Sequence, residues 1–159
     1  MVALLGPVVA LAVAVLMEGV AHTTHRYAMH GFLWVLHEDH HRPTGRGLQK
    51  NDLFAVFFAT IAMLLLYFGV IQRLPVLAAA GVGMTLYGLG YFLFHDVMFH
   101  RRLRGVHLRA NTPYLRRIVR AHQVHHRSSG KDRGTSFGFL YASKRYDQDM
   151  PLAAKGVSQ

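Results

Sequence analysis

The sequence contains no cysteine, which excludes a thiolate-ligated haem and a four-cysteine iron–sulfur cluster. It has neither a G-x-G-x-x-G fingerprint nor a P-loop, so no recognisable element is built to hold a nicotinamide, a flavin or a nucleotide. The paired Glu-x-x-His motifs of soluble di-metal carboxylate proteins are missing too. Acidic residues are scarce, 8 against 18 lysines and arginines, and the formal charge is +10. Residues 53–71 and 75–94 carry no charge at all.

What is present explains those gaps. An apolar fraction of 52% beside a strong positive charge requires the two properties to be segregated along the chain. The uncharged runs match a hydrocarbon core of about 30 Å at about 1.5 Å per helical residue, so both are expected to span a membrane. A third apolar run, residues 4–21, is interrupted only by Glu18. It has no basic residue ahead of it, Arg26 being the first, and is expected to be a retained span rather than a cleaved signal. All but Arg73 of the 18 basic residues lie outside the turn between the second and third spans, which assigns residues 22–52 and 95–159 to the cytoplasm.

All 12 histidines fall in those two segments. Ten form four clusters: His25 and His30; His37, His40 and His41; His95 and His100; and His122, His125 and His126. The two HxxHH clusters place three imidazoles on one helical face. In the HxxxxH pairs the positions differ by about 140° on an ideal α-helix, so either a local π-bulge aligns them or they flank a metal from two sides. Imidazole suits zinc, copper, iron or nickel. Ten imidazoles exceed one ion's needs, and two ions with about five each leave room for an open position. Protons are expected to compete for these nitrogens near imidazole's ordinary pKa of about 6.5. His22 and His107 stand outside the clusters.

Glu18, one turn before His22, is an ionisable residue inside a span, which points to a supporting or proton-relay role beside the metal centre. Tyr87, Tyr91 and His95 recur every four residues, so one face of the third span leads to the histidines. Its small residues, including Gly81, Gly83 and Gly88, suit close helix packing, with a substrate groove as the alternative. The basic stretches at 101–109 and 116–120 suit anionic headgroups or an acidic protein, and no motif for nucleic acid accompanies them.

From "MEGVAHTTHRYAMHGFLWVLHEDHH" through "NDLFAVFF" and "YGLGYFLFHDVMFHRR" to "RAHQVHHRSSGKDRGTSFGFLYA", the chain resembles the bacterial β-carotene 3-hydroxylases. They are a branch of the fatty-acid and sterol hydroxylase superfamily of membrane di-iron enzymes. The histidines indicate only the superfamily; the short length, the HDxxxH form of the third cluster and the "SFGFLYA" ending point to the carotenoid branch. The resemblance implies that the ten clustered histidines hold two iron ions and that Asp96 belongs to the same motif, its carboxylate accepting from a ligand imidazole. It also implies a non-haem monooxygenase that uses O2 and electrons from a reduced ferredoxin. Its reaction would hydroxylate C3 of β-ionone rings, taking β-carotene to zeaxanthin through β-cryptoxanthin in carotenoid biosynthesis.

The expected protein is therefore an all-α integral membrane protein of the bacterial inner membrane. A single domain, 1–159, carries three to four transmembrane helices, the fourth candidate being the stretch from Gly31 to Leu36, and a cytoplasmic histidine-rich di-metal site. The tail from 143 to 159 is expected to be disordered. Two other functions fit parts of the pattern: a fatty-acyl or sterol hydroxylase or desaturase of the same superfamily, and a non-enzymatic membrane metal-binding protein.

Overall fold

The computed structural model describes residues 2–147 apart from 44, 46 and 129, and all the regular secondary structure among them is helical. Helix α1, Val2–Thr23, runs directly into a π-helical stretch, Thr24–Phe32. After a break at Gly31 to Leu33 comes α2, Trp34–His41. Helix α3, Asp52–Ile71, turns tightly into α4, Pro75–Tyr91, which continues as a second π-helical stretch, Phe92–Phe99. Helix α5, Pro113–His126, follows, with single 3-10 turns at Lys131–Arg133 and Lys144–Tyr146.

Three helices are long and apolar enough to cross a membrane: Leu4–Phe32, Asp52–Ile71 and Pro75–Phe99. The Gly31–Leu36 stretch adds no further crossing, because α2 begins at Trp34 and is only 8 residues long. The first and third helices run past the apolar limits at residues 21 and 94, carrying His25, His30 and His95 on their extensions. Their outward faces, with Leu4, Val8, Leu11 and Val15 on α1 and Val56, Met63 and Val70 on α3, are exposed, as lipid contact requires.

Helix α4 is the centre of the membrane bundle, packed against both α1 and α3. Its closeness to them depends on glycine: a Cβ on Gly83 would stand 2.4 Å from the Ala10 carbonyl oxygen, and one on Gly69 of α3 would stand 2.4 Å from the Ala78 amide nitrogen. The turn from α3 closes with Leu74 N–H to Gly69 C=O and Arg73 N–H to Val70 C=O, with Arg73 at φ 55°. That is the Schellman arrangement that reverses a chain in few residues.

Helix α5 lies apart from the bundle. The Thr112 hydroxyl accepts from Leu115 N–H at its start, Pro113 follows at the first helical position, and one face buries Ile118, Ala121, His122 and His125. The apolar part of this face packs with Met98, Ala142 and Tyr146. The beginning of the tail is therefore folded, contrary to the expectation of disorder from residue 143. Tyr146 is only 3% exposed, Arg120 donates to its carbonyl, and Arg117 pairs with Asp147 at 2.6 Å. An aromatic side chain needs only a nearby apolar face to order the backbone around it, and α5 provides one. The remainder of that expectation, 148–159, lies outside the described residues.

Candidate metal centre

The ten clustered histidines converge in two groups at the end of the bundle. His25, His30, His37, His41 and His125 each bring one ring nitrogen within 4.8 Å of the others, and so do His40, His100, His122 and His126. His95 joins the second group, its Nε2 lying 3.1 Å from that of His40. His22 and His107 remain exposed outside both.

The HxxxxH pairs belong to the two π-helical stretches, His100 standing as the residue that closes the second. An i→i+5 hydrogen bond such as His100 N–H to His95 C=O, 3.0 Å, brings residues five apart onto one face, so both members of each pair enter the same group. The HxxHH motifs divide differently. His37 and His41 of α2 join the first group while His40 joins the second; on α5, His122 and His126 join the second while His125 joins the first. Each group thus consists of one π-helical pair, one i, i+4 pair and one histidine from the opposite half of the chain.

Hydrogen bonds at the far side of the rings settle their tautomers. The Nδ1–H groups of His25, His30, His41 and His125 donate to the carbonyl oxygens of Phe137, Lys131, Ser128 and Thr135 at 2.8–3.0 Å. A carbonyl only accepts, so the proton is on Nδ1 and each Nε2 presents a lone pair. These lone pairs face one another: Nε2 of His30 is 3.1 Å from those of both His41 and His125. Burial, the largest influence on each, pushes His37 and His125 down to about 3 and His41 to about 4, so no proton bridges them at neutral pH. In the second group burial likewise lowers His100 to about 4 and holds His40 and His122 well below their ordinary value. His126 Nε2 is buried with no hydrogen-bond partner. Converging lone pairs without protons suit a divalent cation. Nitrogens at right angles around an ion at about 2.1 Å stand about 3.0 Å apart, which matches the observed spacing.

Other side chains hold three further rings. His37 Nδ1 donates to Asn51 Oδ1 at 2.6 Å, and His40 Nδ1 to Gln49 Oε1 at 3.0 Å. His95 Nδ1 donates to Asp96 Oδ1 at 2.9 Å, and Arg102 grips Asp52 through two nitrogens at 2.6 and 2.7 Å while reaching Asp96 at 3.5 Å. Arg102, within a basic stretch expected to face lipid or a partner, therefore points inward. The roles of Asn51 and Gln49 were not foreseen, although two amide side chains directly before an apolar span are a usable signal.

Glu18 does not pair with His22 as the helical spacing suggested. Its Oε1 accepts from the amides of Phe139, Leu140 and Tyr141 at 2.9–3.0 Å, and its Oε2 from the Tyr87 hydroxyl at 2.8 Å. Three amides and a hydroxyl satisfy a carboxylate within an apolar helix far better than one exposed imidazole does.

Beside the histidines a cavity of about 360 Å³ opens between α1, α3 and α4. Its wall is almost wholly apolar, including Met17, Phe58, Ala62 and Gly88, and it reaches Tyr91, Asp96 and Phe139. Tyr91 stacks on the His95 ring at 4.4 Å, so the aromatic face of α4 leads from the cavity to the second group.

The sequence profile of the fatty acid hydroxylase family matches residues 10–144. The chain is 47% identical to a β-carotene hydroxylase of Pseudescherichia vulneris over 82% of its length and 73% of the relative's. It is 44% identical to one of Pantoea ananas, covering 79% and 71%, and 41% identical to one of Paracoccus sp. (strain N81106 / MBIC 01143), covering 91% and 90%. No solved structure matches it. Membrane-crossing helices, two buried histidine groups and relatives of this similarity over most of their length agree: the chain belongs to the fatty acid hydroxylase family and, within it, to the β-carotene hydroxylases.

Proposed function

We propose that the chain is a di-iron carotenoid hydroxylase, converting β-carotene to zeaxanthin through β-cryptoxanthin by oxygenation at C3 of each β-ionone ring. The observation that carries this reading is the apolar cavity walled in part by Tyr91, Asp96 and Phe139, side chains that touch His95 of one histidine group and His25 of the other, in a chain 41–47% identical to bacterial proteins named for β-carotene hydroxylation. The cavity fits one end of a carotenoid and leaves the rest of the polyene in the bilayer, which suits a substrate that must be turned end for end between two hydroxylations.

Two iron ions, held by His25, His30, His37, His41 and His125 and by His40, His95, His100, His122 and His126, supply the activation of O2 when bound. The chain positions and shields. Nδ1 acceptors fix seven of the ten rings, those of His25, His30, His37, His40, His41, His95 and His125, and keep their Nε2 atoms directed inward. The apolar wall excludes water and directs a ring C–H bond toward the histidines. Each hydroxylation consumes O2, two protons and two electrons, one oxygen entering the product and the other leaving as water.

The sequence has no motif for an electron-carrying cofactor, which supports a ferredoxin-type donor. The exposed Arg101, Arg104, Arg109 and Arg116 offer an acidic protein a basic face on the side of the membrane where the histidines lie. The distribution of basic residues supports placing that side in the cytoplasm, with the helices in the bacterial inner membrane.

Expression in bacteria that accumulate β-carotene, with pigments resolved by chromatography and mass spectrometry, tests the reading. Zeaxanthin and β-cryptoxanthin are expected with the intact chain and absent with His125→Ala. Unchanged β-carotene, with the protein in the membrane and a reductant supplied, would overturn it; modified fatty-acyl chains in the same cells would reassign the chain to lipid hydroxylation.

A further inference from the structure

Phe139 touches one histidine of each group and lines the cavity. Its ring lies parallel to that of His25 in the first group, at 5.5 Å and 2°, and meets His95 of the second group edge-on at 5.3 Å and 89°. It also meets Tyr91 edge-on at 4.8 Å, and its side chain forms part of the cavity wall. It is only 5% exposed and has no atom that could bind a metal. In the wall of an apolar cavity, such a ring acts by shape alone.

The position of that ring is set from two sides. Aromatic faces hold it laterally, and Glu18 fixes its backbone by accepting from the amide of Phe139 and the two that follow. Gly138 makes this possible, since a Cβ there would stand 2.7 Å from Glu18 Oε1 and 3.0 Å from the Tyr141 carbonyl oxygen. A carboxyl group is costly in a membrane helix, and holding a loop 121 residues away is a use that its neighbours on α1 do not explain.

Neighbouring ring carbons of an apolar substrate offer no polar handle, so only placement can choose among them, and a displacement of about 1 Å can change a rate about a hundredfold. We propose that Phe139, anchored by Glu18, is the specificity-determining residue that selects which ring carbon faces the histidine groups. The proposal rests on the carotenoid reading above. Glu18 is a positioning residue acting through Phe139.

The test compares the pigments made by the full-length chain, Phe139→Leu, Phe139→Ala, Glu18→Gln and Glu18→Ala, with iron per chain measured on each purified protein. Both Phe139 variants are expected to keep the wild-type iron content, while hydroxylation at C3 falls about tenfold or more relative to hydroxylation at adjoining carbons. Glu18→Gln, which keeps an oxygen acceptor for the amides, is expected to retain the C3 pattern, and Glu18→Ala to move it as Phe139→Ala does. If Phe139→Ala does not accumulate, the nearly volume-conserving Phe139→Leu decides. An unaltered C3 pattern in the Phe139 variants would overturn the proposal, and so would loss of iron in both, since Phe139 would then be a support for the histidines. An unaltered pattern in Glu18→Ala would overturn the anchoring role. Absence of hydroxylated carotenoid from the wild type would instead overturn the carotenoid reading.

Discussion

His125 Nε2 lies 3.1 Å from His30 Nε2 across 95 residues of chain, while the next residue, His126, faces the other histidine group. His40 and His41 part in the same way on α2. Each adjacent pair therefore straddles both groups, and the groups are bound together through the backbone of two helices. Neither half of the chain completes a group alone, which makes the centre cooperative: α5 must dock before either group has its full set of nitrogens.

Removing one histidine from each pair separates the groups. His125→Ala should lower metal occupancy chiefly in the first group and His126→Ala chiefly in the second, each leaving membrane insertion intact and reducing turnover to background. Metal per chain, measured on the purified protein, should fall toward half of the wild-type value in both. Near-complete occupancy with retained turnover in either variant would remove that histidine from the centre.

Asn51 is 4% exposed and accepts from His37 Nδ1. Replacement by Leu fills the space but leaves the His37 donor buried without a partner, and such losses cost about 10–100-fold in metal affinity. Asn51→Asp keeps an oxygen in place and should recover most of the loss. Chelator competition on the two variants measures it directly, and equal affinities in Leu and Asp would show that the hydrogen bond does nothing for the metal.

Burial alters the pH response that ordinary imidazoles would give. His37 and His125 are pushed down to about 3, and His41 and His100 to about 4, so the folded chain binds fewer protons than the unfolded one below about pH 6.5. Stability conferred by the neutral rings is complete above that value and is lost as pH falls toward 4, by up to about 1.4 kcal/mol per pH unit for each ring. The melting temperature of metal-free protein in detergent should be flat from about pH 7.5 to 9 and decline below about 6.5. Protons inside the folded site compete only near pH 4, so metal should be retained at about pH 5 wherever the fold persists. A metal-release midpoint at about 6.5 in folded protein would contradict the burial of these rings.

The histidines were legible because helical spacing is a local property: HxxHH declares a shared face whatever the rest of the chain does. The i, i+5 pairs were ambiguous because a π-helical stretch depends on the hydrogen bonds the backbone chooses, and His25–His30 and His95–His100 look the same either way. The exchange of His40 and His125 between groups is tertiary and has no local sign. The acceptors at Ser128, Lys131, Thr135 and Phe137 are carbonyl oxygens, which every residue carries, so no residue type announces them. Glu18 misled for a related reason. Its nearest polar neighbour in sequence was His22, whereas its partners are the Tyr87 hydroxyl and backbone amides beyond residue 138.

The proposed recruitment of an acidic electron donor by the basic face predicts that turnover is sensitive to salt. Raising ionic strength from about 0.01 to about 0.15 M shortens the screening length from about 30 to about 8 Å. Turnover with ferredoxin at sub-saturating concentration should fall over that range and recover when ferredoxin is saturating. Arg104→Glu, at an exposed position without a part in the histidine groups, should weaken the dependence. A flat response would separate the basic face from electron delivery.

The glycines of α4 have two different uses, and a pair of substitutions distinguishes them. Gly83 has no space for a methyl group, because Ala10 O and Val13 lie within 2.8 Å of the added Cβ. Gly88 lines the cavity with nothing within 4 Å. Gly83→Ala should therefore push α1 from α4, cost about 1–3 kcal/mol as overpacking does, and reduce the amount of protein folded in the membrane. Gly88→Leu should insert and bind metal normally, yet fill space a carotenoid end group needs, so that activity falls with metal content unchanged. Equal loss of folded protein in both would make the third span a packing helix throughout; undiminished carotenoid turnover in Gly88→Leu would place the substrate somewhere other than this cavity.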